Sequence, residues 1–515
     1  MRHYTMSPPF ATYPLTPFDS LEAAANLGNA WIVEGLADVE KVRAALDRLV
    51  SKWPVLAGRV KVLEKDRFQI RIPLGPLEDG YQGYGLTSAV PSRSLSEFIE
   101  LPIPTFIEVP HASLGLADYI RNDLPITHWH IAHFPPPTPS GKAYSCIGIS
   151  WPHGVFDGMG LSLVPHALEA ELAAREWDVP PGPTPGPNEN VLQNLMEAEI
   201  ESAARQARDS QTSSKDSTAA ADTSSDGEQP KLQMETLKID KESNPSGFIL
   251  AGILETLLFV VKLLWNNHAL STSEYSFTIP AAIHTRLASE TRKEAETAGL
   301  TDVRPSHGDI TIAWLLQCLY GKETKNKAIS LMNIASLRSI EWPSSPAQDD
   351  NEHLPLRHYI HNCTSMISYP PLTTSFHLTS SLPLHELAYQ LTKYRTHPGQ
   401  SSRIAEAIDE WTLIRRKQRE GYTAVRPVNR KADEMVIVAN LSLSRATFLD
   451  WSPAGGGRTV THFMLQLDSL KVPGMVNVNG RLENGDLLIS TWGTREGRRS
   501  VEEGYRALVE RFGGV

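Results

Sequence analysis

An α/β fold in two domains follows from three features of the sequence. The chain has 515 residues, well past the roughly 250 to 300 at which one hydrophobic core stops growing. Segments with strand-like and helix-like periodicity alternate along both halves. Between the halves, from Glu199 to about Gln233, runs a stretch of Ser, Thr, Ala, Asp and Lys with almost no large apolar residue after Ile200. Such a stretch buries too little surface to offset its ordering entropy, and it reads as an interdomain crossover enlarged by an insertion. The expected division is a first domain over residues 1–197, a disordered crossover insertion over 198–235 and a second domain over 236–515. Hydrophobic content of 41% against 21% charged residues is ordinary for a globular chain, so a sizeable core can be buried.

The elements can be justified in chain order. Asp38 stands where a helix cap should, before Val39, Val42, Leu46, Leu49 and Val50 at helical spacing. That helix runs into Trp53-Pro54-Val55-Leu56-Ala57-Gly58-Arg59-Val60. His128 and His130 alternate on one face of a strand, and Ala143 to Ser150 alternates like a second strand. In the second half, Tyr275 to Ile279 reads as a strand and a helix starts at Ala281. Ser306 and Asp309 form a capping-box pattern before Ile312, Leu315, Leu316 and Leu319, which share one helix face and belong to the core. Ala328 to Ile334 and Met435 to Leu443 read as strands, and Leu384 to Tyr394 as a helix. A last helix is expected to start with the capping pattern Ser500-Val501-Glu502-Glu503 and to bury Val501, Tyr505, Leu508 and Phe512. No internal repeat is present.

Composition excludes several functions. A formal net charge of −10 without a basic stripe argues against nucleic acid, whose binding needs clustered Lys and Arg. Arg415-Arg416-Lys417 is too short to change this and reads as a solvated helix face. Cys146, Cys318 and Cys363 show no C-x-x-C spacing, which points to a reducing compartment without structural zinc. His128, His130 and His133 lie close together but lack a neighbouring Cys or carboxylate ligand, so no metal is expected. Cys146 reads as a small buried hydrophobe and not a nucleophile. Met1 to Asp19 lacks the apolar core of a signal peptide, so a cytoplasmic location is expected. The one membrane-like stretch, Gly247 to Trp265, contains Glu255 and Lys262. A charge near the centre of a spanning helix costs about 2.5 to 3.5 kcal/mol, so this stretch reads as a packed or lid-like helix, or as one making peripheral membrane contact.

The chemistry concentrates in Ser150-Trp151-Pro152-His153-Gly154-Val155-Phe156-Asp157-Gly158. Among the 17 histidines, His153 alone is followed four positions later by Asp. Histidine is the side chain best suited to take a proton from an alcohol or amine near neutral pH. Gly154 and Gly158 permit positive φ and close approach of a ligand to the main chain. Asp157 either orients the imidazole or binds a distant Arg. In a purely structural reading, His153 is a buried histidine satisfied by a carbonyl and Asp157 caps the next helix.

The flanking motifs add specificity. Thr16-Pro17-Phe18-Asp19, Pro54 to Arg59, His153 to Gly158, Ser306-His307-Gly308-Asp309 and Tyr359-Ile360-His361-Asn362-Cys363 occur in that order. Their order resembles the BAHD-like acyltransferases of plants and fungi, with T-P-x-D, P-x-L-A-G-R, H-x-x-x-D-G, S-x-x-D and Y-x-x-N segments. The resemblance spans nearly the whole chain apart from the insertion. The family's second signature, D-F-G-W-G, is replaced here by Phe448-Leu449-Asp450-Trp451-Ser452-Pro453-Ala454-Gly455-Gly456-Gly457, of which Asp450 and Trp451 retain a part or form a surface turn.

The resemblance implies two chloramphenicol-acetyltransferase-like α/β domains, each a mixed β-sheet with flanking helices, with the site at their interface. It implies acyl transfer, acetyl transfer first, from acyl-CoA to a hydroxyl or amine of a small hydrophobic secondary metabolite, by a monomer with no permanently bound cofactor. His153 would be the general base, and Ser442 or Asn440 the oxyanion donor, with an ordinary strand-end role open for each. The alternatives on the same fold are carrier-protein-dependent condensation or release, cyclisation, or a catalytically inactive binding protein. A condensation domain would read H-H-x-x-x-D-G, where this chain has Pro152 at the first position.

Overall fold

The computed structural model describes residues 9–92, 95, 116–136, 141–216, 248–321, 326–343, 356–369, 378–396, 400–420, 424–427, 432–466 and 473–513. Two mixed sheets dominate. The first has five strands in the order Thr459–Gln466, Asn26–Glu34, Tyr144–Pro152, His128–Phe134 and Gly85–Ala89. Its neighbours are antiparallel except the last two, which run parallel. Successive side chains of a strand point to opposite faces. Thus Trp31, Val33, Ile147, Ile149 and Trp151 enter one core with the helices Val39–Lys52 and Gly158–Leu172, while Ala30, Ile32 and Cys146 pack with Phe463 in another. The cap at Asp38 forms as expected, its carboxylate accepting from the backbone N–H of Glu40 and Lys41.

The second sheet runs Ser273–Ile279, Leu487–Gly493, Met475–Arg481, Glu434–Asn440, Ala328–Ser336 and Thr364–Tyr369, with Leu378–Thr379 also beside Ala328–Ser336. The strands Met475–Arg481, Glu434–Asn440 and Ala328–Ser336 are parallel, and the outer pairings are antiparallel. The helices Ala281–Thr297, His307–Tyr320, Leu384–Thr396 and Arg495–Phe512 supply its apolar cover. Ser306 caps His307–Tyr320 as its pattern predicts, accepting from Asp309 N.

Several boundaries differ from expectation, each for a physical reason. The strand Thr459–Gln466 returns to the first sheet and pairs with Asn26–Glu34, so a cut near residue 235 does not partition the sheets. A third core joins Phe18, Leu192 and Met196 to Leu337, Trp342 and Trp411 across the halves. The crossover insertion expected to be disordered begins inside the helix Val191–Asp216. Leu192, Leu195 and Met196 anchor that helix, and the Ala- and Arg-containing sequence after them favours its continuation. Residues 217–235 lie outside the described residues. The last helix starts at Arg495, because Thr494 accepts from Gly497 N before Ser500 is reached. The strand expected to reach Leu443 stops at Asn440, and Ser442–Ser444 forms a 3-10 turn.

The 247–265 stretch is not a packed helix. Phe248–Ala251 pairs as a strand with Ala424–Pro427, and the helix Ile253–His268 that follows has no buried residue. Among the described residues no helix is long and apolar enough to cross a membrane. Trp451 is not part of a surface turn, since it lies in the first core with its ring 5.5 Å from that of Trp31.

Candidate active site

His153 is positioned by its backbone. It follows directly on the central strand Tyr144–Pro152, its N–H donates to Ala25 O (2.9 Å), and its carbonyl accepts from Asn362 Nδ2 (2.7 Å). Asn362 is held in turn by Asp19, whose Oδ1 accepts from both Asn362 N and Nδ2 at 2.9 Å. Asp19 Oδ2 accepts from Thr16 N and Oγ1 at 2.6 and 2.8 Å. Burial pushes the Asp19 carboxyl up to about 6 against these four hydrogen bonds, which pull it down. Three motifs far apart in sequence thus meet behind one imidazole.

Asp157 takes the second of the two roles open to it. Its carboxylate receives a fork from Arg338, Nη2 to Oδ1 at 3.0 Å and Nη1 to Oδ2 at 2.9 Å, with the Asp157 side chain buried and that of Arg338 11% exposed. Gly160 N and Cys363 N also donate to it, at 2.6 and 2.9 Å, so it caps the helix Gly158–Leu172 as well. Among the described residues its hydrogen bonds do not reach His153. Arg338 further donates to Tyr359 O and His361 O at 2.8 and 2.7 Å. His361 stacks near-parallel on Phe156, its Nδ1 donates to Val155 O, and burial lowers its pKa to about 4, so the ring is neutral.

The glycines act through space and not through φ, since neither Gly154 nor Gly158 adopts a left-handed backbone. A Cβ on Gly154 would stand 2.9 Å from Ala23 Cα, and one on Gly158 would press on Met464 and Leu441.

The His153 side chain is 21% exposed and lines a cavity of about 500 Å³. Its Nδ1 is buried without a hydrogen-bond partner among the described residues. Nε2 lies 3.8 Å from Glu22 Oε2, another wall residue. Phe18, Leu21, Met366 and Ile437 make much of the remaining wall apolar, and Glu410 contributes a buried carboxyl from the helix Gln400–Glu420. Neither Glu22 nor Glu410 was anticipated, because single acidic residues carry no local signature.

Asn440 and Ser442 line this cavity and also a second one of about 490 Å³. Asn440 Oδ1 accepts from Ser442 N and Ser442 Oγ, at 3.1 and 2.6 Å. The Ser442 hydroxyl hydrogen is therefore committed, and the Asn440 amide nitrogen is the better donor of the two candidates. The second cavity is basic, lined by Arg445 and Arg481 with His284 and His307. Arg481 donates to His284 Nδ1 at 2.9 Å, and burial lowers His284 to about 4, so that ring is neutral. Arg445 has φ of 51°, an uncommon strain for a side chain of its size.

Other sequence candidates have ordinary surroundings. His133 Nε2 is hydrogen-bonded to Ala37 O and His130 Nδ1 to Thr87 Oγ1, both at 2.8 Å. Among the described residues no His, Cys, Asp or Glu group is arranged to hold a metal ion. Burial raises the Cys146 thiol to about 12, which leaves it un-ionised.

No protein-family model matches the chain. Over 191 residues it is 24% identical to the O-acetyltransferase PaAT-2 of Phomopsis amygdali, a match covering 32% of this chain and 37% of that protein. The chain thus spans little more than a third of that relative's length. Solved structures are similar over nearly all of it. Apo TRI101 of F. graminearum has a TM-score of 0.58 at 12% identity, covering 97% of this chain and 98% of that one. F. graminearum TRI101 complexed with coenzyme A and T-2 mycotoxin also has a TM-score of 0.58, at 13% identity over 96% and 97% of the two chains. The first condensation domain of the calcium-dependent antibiotic synthetase has a TM-score of 0.50 at 13% identity over 97% and 96%. The two-domain mixed-sheet fold implied by the motif order is the fold of this chain.

Proposed function

We propose that this protein transfers an acyl group, acetyl in the first instance, from acyl-CoA to a hydroxyl of a small hydrophobic secondary metabolite. The observation that carries the reading is His153: its imidazole lines a mostly apolar cavity that shares Asn440 and Ser442 with a second, basic cavity. Charge and apolarity together assign the two substrates. Arg445 and Arg481 suit the phosphates of CoA, whereas the largely apolar wall around His153, with Phe18, Leu21, Met366 and Ile437, suits a hydrophobic acceptor, so the acceptor occupies the first cavity. The O-acetyltransferase relative and the coenzyme A complex of a similar structure support this reading and favour oxygen over nitrogen as the nucleophile.

In this mechanism His153 Nε2 removes the hydroxyl proton as the acceptor oxygen attacks the thioester carbonyl carbon. The Asn440 amide stabilises the tetrahedral oxyanion, a role worth about 2.7 to 4 kcal/mol for one donor. Collapse breaks the carbon–sulfur bond, and the imidazolium returns its proton to the departing thiolate. No covalent acyl-enzyme forms, and the three buried cysteines are not needed.

Acetyl-CoA, a thiol reagent and a bicyclic alcohol such as a hydroxydecalone test this directly. Thiol release should depend on the alcohol, intact-mass spectra should show no acetylated enzyme, and Arg481→Ala should raise the KM for acetyl-CoA about tenfold. Alcohol-independent release with an acetylated protein would replace direct transfer by a covalent route.

A membrane role for the helix Ile253–His268 is a separate part of the proposal. Ile253, Leu254, Leu257, Leu258, Val261, Leu264 and Trp265 recur at helical spacing and are exposed, Ile253 by 78% and Trp265 by 65%. The half-buried Thr256, Phe259, Leu263 and Asn267 form the opposite, inner face. A mostly aliphatic outer face ending near Trp265, with the exposed Glu255 and Lys262 at its edge, on a chain of net charge −10, fits a zwitterionic lipid surface better than an anionic one. Phosphatidylcholine vesicles should co-float the protein, and Leu257→Glu with Leu258→Glu should abolish this. Failure of the unmodified protein to float would refute lipid contact.

A further inference from the structure

We propose that Glu410 recognises the acceptor, donating a hydrogen bond from its carboxylic acid Oε1 to a carbonyl or ether oxygen of that molecule. The inference rests on the acyl-transfer reading above and deepens it, because it names a chemical feature of the acceptor beyond the reacting hydroxyl.

The geometry begins with the wall itself. Glu410 projects from the helix Gln400–Glu420 into the lining of the His153 cavity, yet the residue is only 2% exposed. A buried carboxylate needs a cation or several hydrogen bonds. Among the described residues no Lys, Arg or His forms an ion pair with Glu410. Among the described residues its two hydrogen bonds fall on the same atom: Oε2 accepts from Ser365 Oγ at 2.7 Å and from Met366 N at 3.2 Å. Two donors on one oxygen mark it as the carbonyl-type oxygen of an acid and leave the proton to Oε1. Burial raises Glu410 to about 8, with the nearby Glu22 and Glu406 carboxylates adding to the rise. Arg403, which also lines the cavity, acts on Glu406 instead.

Position gives this group its use. Ser365 lies three residues after Asn362, the side chain that holds the His153 carbonyl. Glu22, which lies 3.8 Å from His153 Nε2, lines the same cavity. An acceptor oxygen bound at Glu410 therefore has its place fixed relative to the imidazole by one short, rigid segment. A site built to hydrogen-bond one substrate group discriminates strongly against an analogue lacking it, since its own buried polar group is then left unpaired.

The test compares a hydroxydecalone with the matched decalinol that lacks the ring carbonyl, using wild type, Glu410→Gln and Glu410→Met with acetyl-CoA. Wild type should favour the ketone by about tenfold or more in kcat/KM. Glu410→Gln keeps an oxygen for Ser365 and Met366 and offers N–H in place of O–H, so it should retain the preference. Glu410→Met should lose it through a higher acceptor KM, with the KM for acetyl-CoA unchanged. No preference in wild type, persistence of the preference in Glu410→Met, or collapse in Glu410→Gln would overturn the assignment, the last showing that an ionised carboxylate is required. If wild type acetylates neither alcohol, the proposed acceptor class fails, and the Glu410 assignment is read from thermal shifts alone. Stronger stabilisation of wild type by the ketone, lost in Glu410→Met, supports it, and equal or absent stabilisation overturns it.

Discussion

The carboxylate of Asp157 accepts two hydrogen bonds from Arg338 and one each from Gly160 N and Cys363 N, and so ties the helix after His153 to the segment that carries Asn362. Its effect on the imidazole passes through backbone. Asp157→Ala leaves the Arg338 guanidinium buried without its counter-charge, a loss of about 3 to 5 kcal/mol that thermal or urea denaturation should show. Activity should fall with the stability. An Asp157→Ala protein that is inactive yet as stable as wild type would instead give Asp157 a direct part in proton transfer. The spacing of His153 and Asp157, and the Asp19 and Asn362 motifs, were legible in the sequence. Arg338 was not, because a partner 181 residues away leaves no periodicity, and Glu22 and Glu410 acquire meaning only from the cavity they share.

At the scale of elements, the seam between the halves is built on the helix Gln400–Glu420. Ile404, Ala407, Trp411 and Ile414 recur at helical spacing along its inner face and pack against Leu192, Met196 and Phe18, with the Phe18 and Trp411 rings edge to face at 5.3 Å. Removing the largest of these side chains, by Trp411→Ala, should cost about 3 to 5 kcal/mol, measured by chemical denaturation. It should also raise the acceptor KM, because the same helix carries Glu410. Stability within about 0.5 kcal/mol of wild type would place Trp411 among peripheral contacts. Capped amphipathic helices such as Val39–Lys52 and His307–Tyr320 were readable because cap and apolar stripe agree. The return of the strand Thr459–Gln466 to the first sheet was not, since strand order is decided by tertiary packing and alternation alone names no partner. The helix Ile253–His268 shows the same limit: an apolar stripe reads as core, and only the fold places it outward.

For the whole molecule, the two sheets bring a largely apolar cavity and a basic cavity to the same pair of side chains, Asn440 and Ser442, with His153 on the apolar side. The motif order foretold the fold and pointed to His153, which lines the cavity, because widely separated short segments that serve one site survive as a recognisable series. The basic lining of the second cavity could not be read from a net charge of −10, which averages over the whole chain. The claim on which the account turns is that His153 takes the acceptor's proton during direct acyl transfer. The decisive measurement is alcohol-dependent CoA release by wild type and His153→Ala under saturating acetyl-CoA. The account predicts a fall in kcat of about 10² to 10⁴, with the KM for acetyl-CoA nearly unchanged because the donor is held elsewhere. A His153→Ala protein that keeps most of the wild-type rate would contradict it.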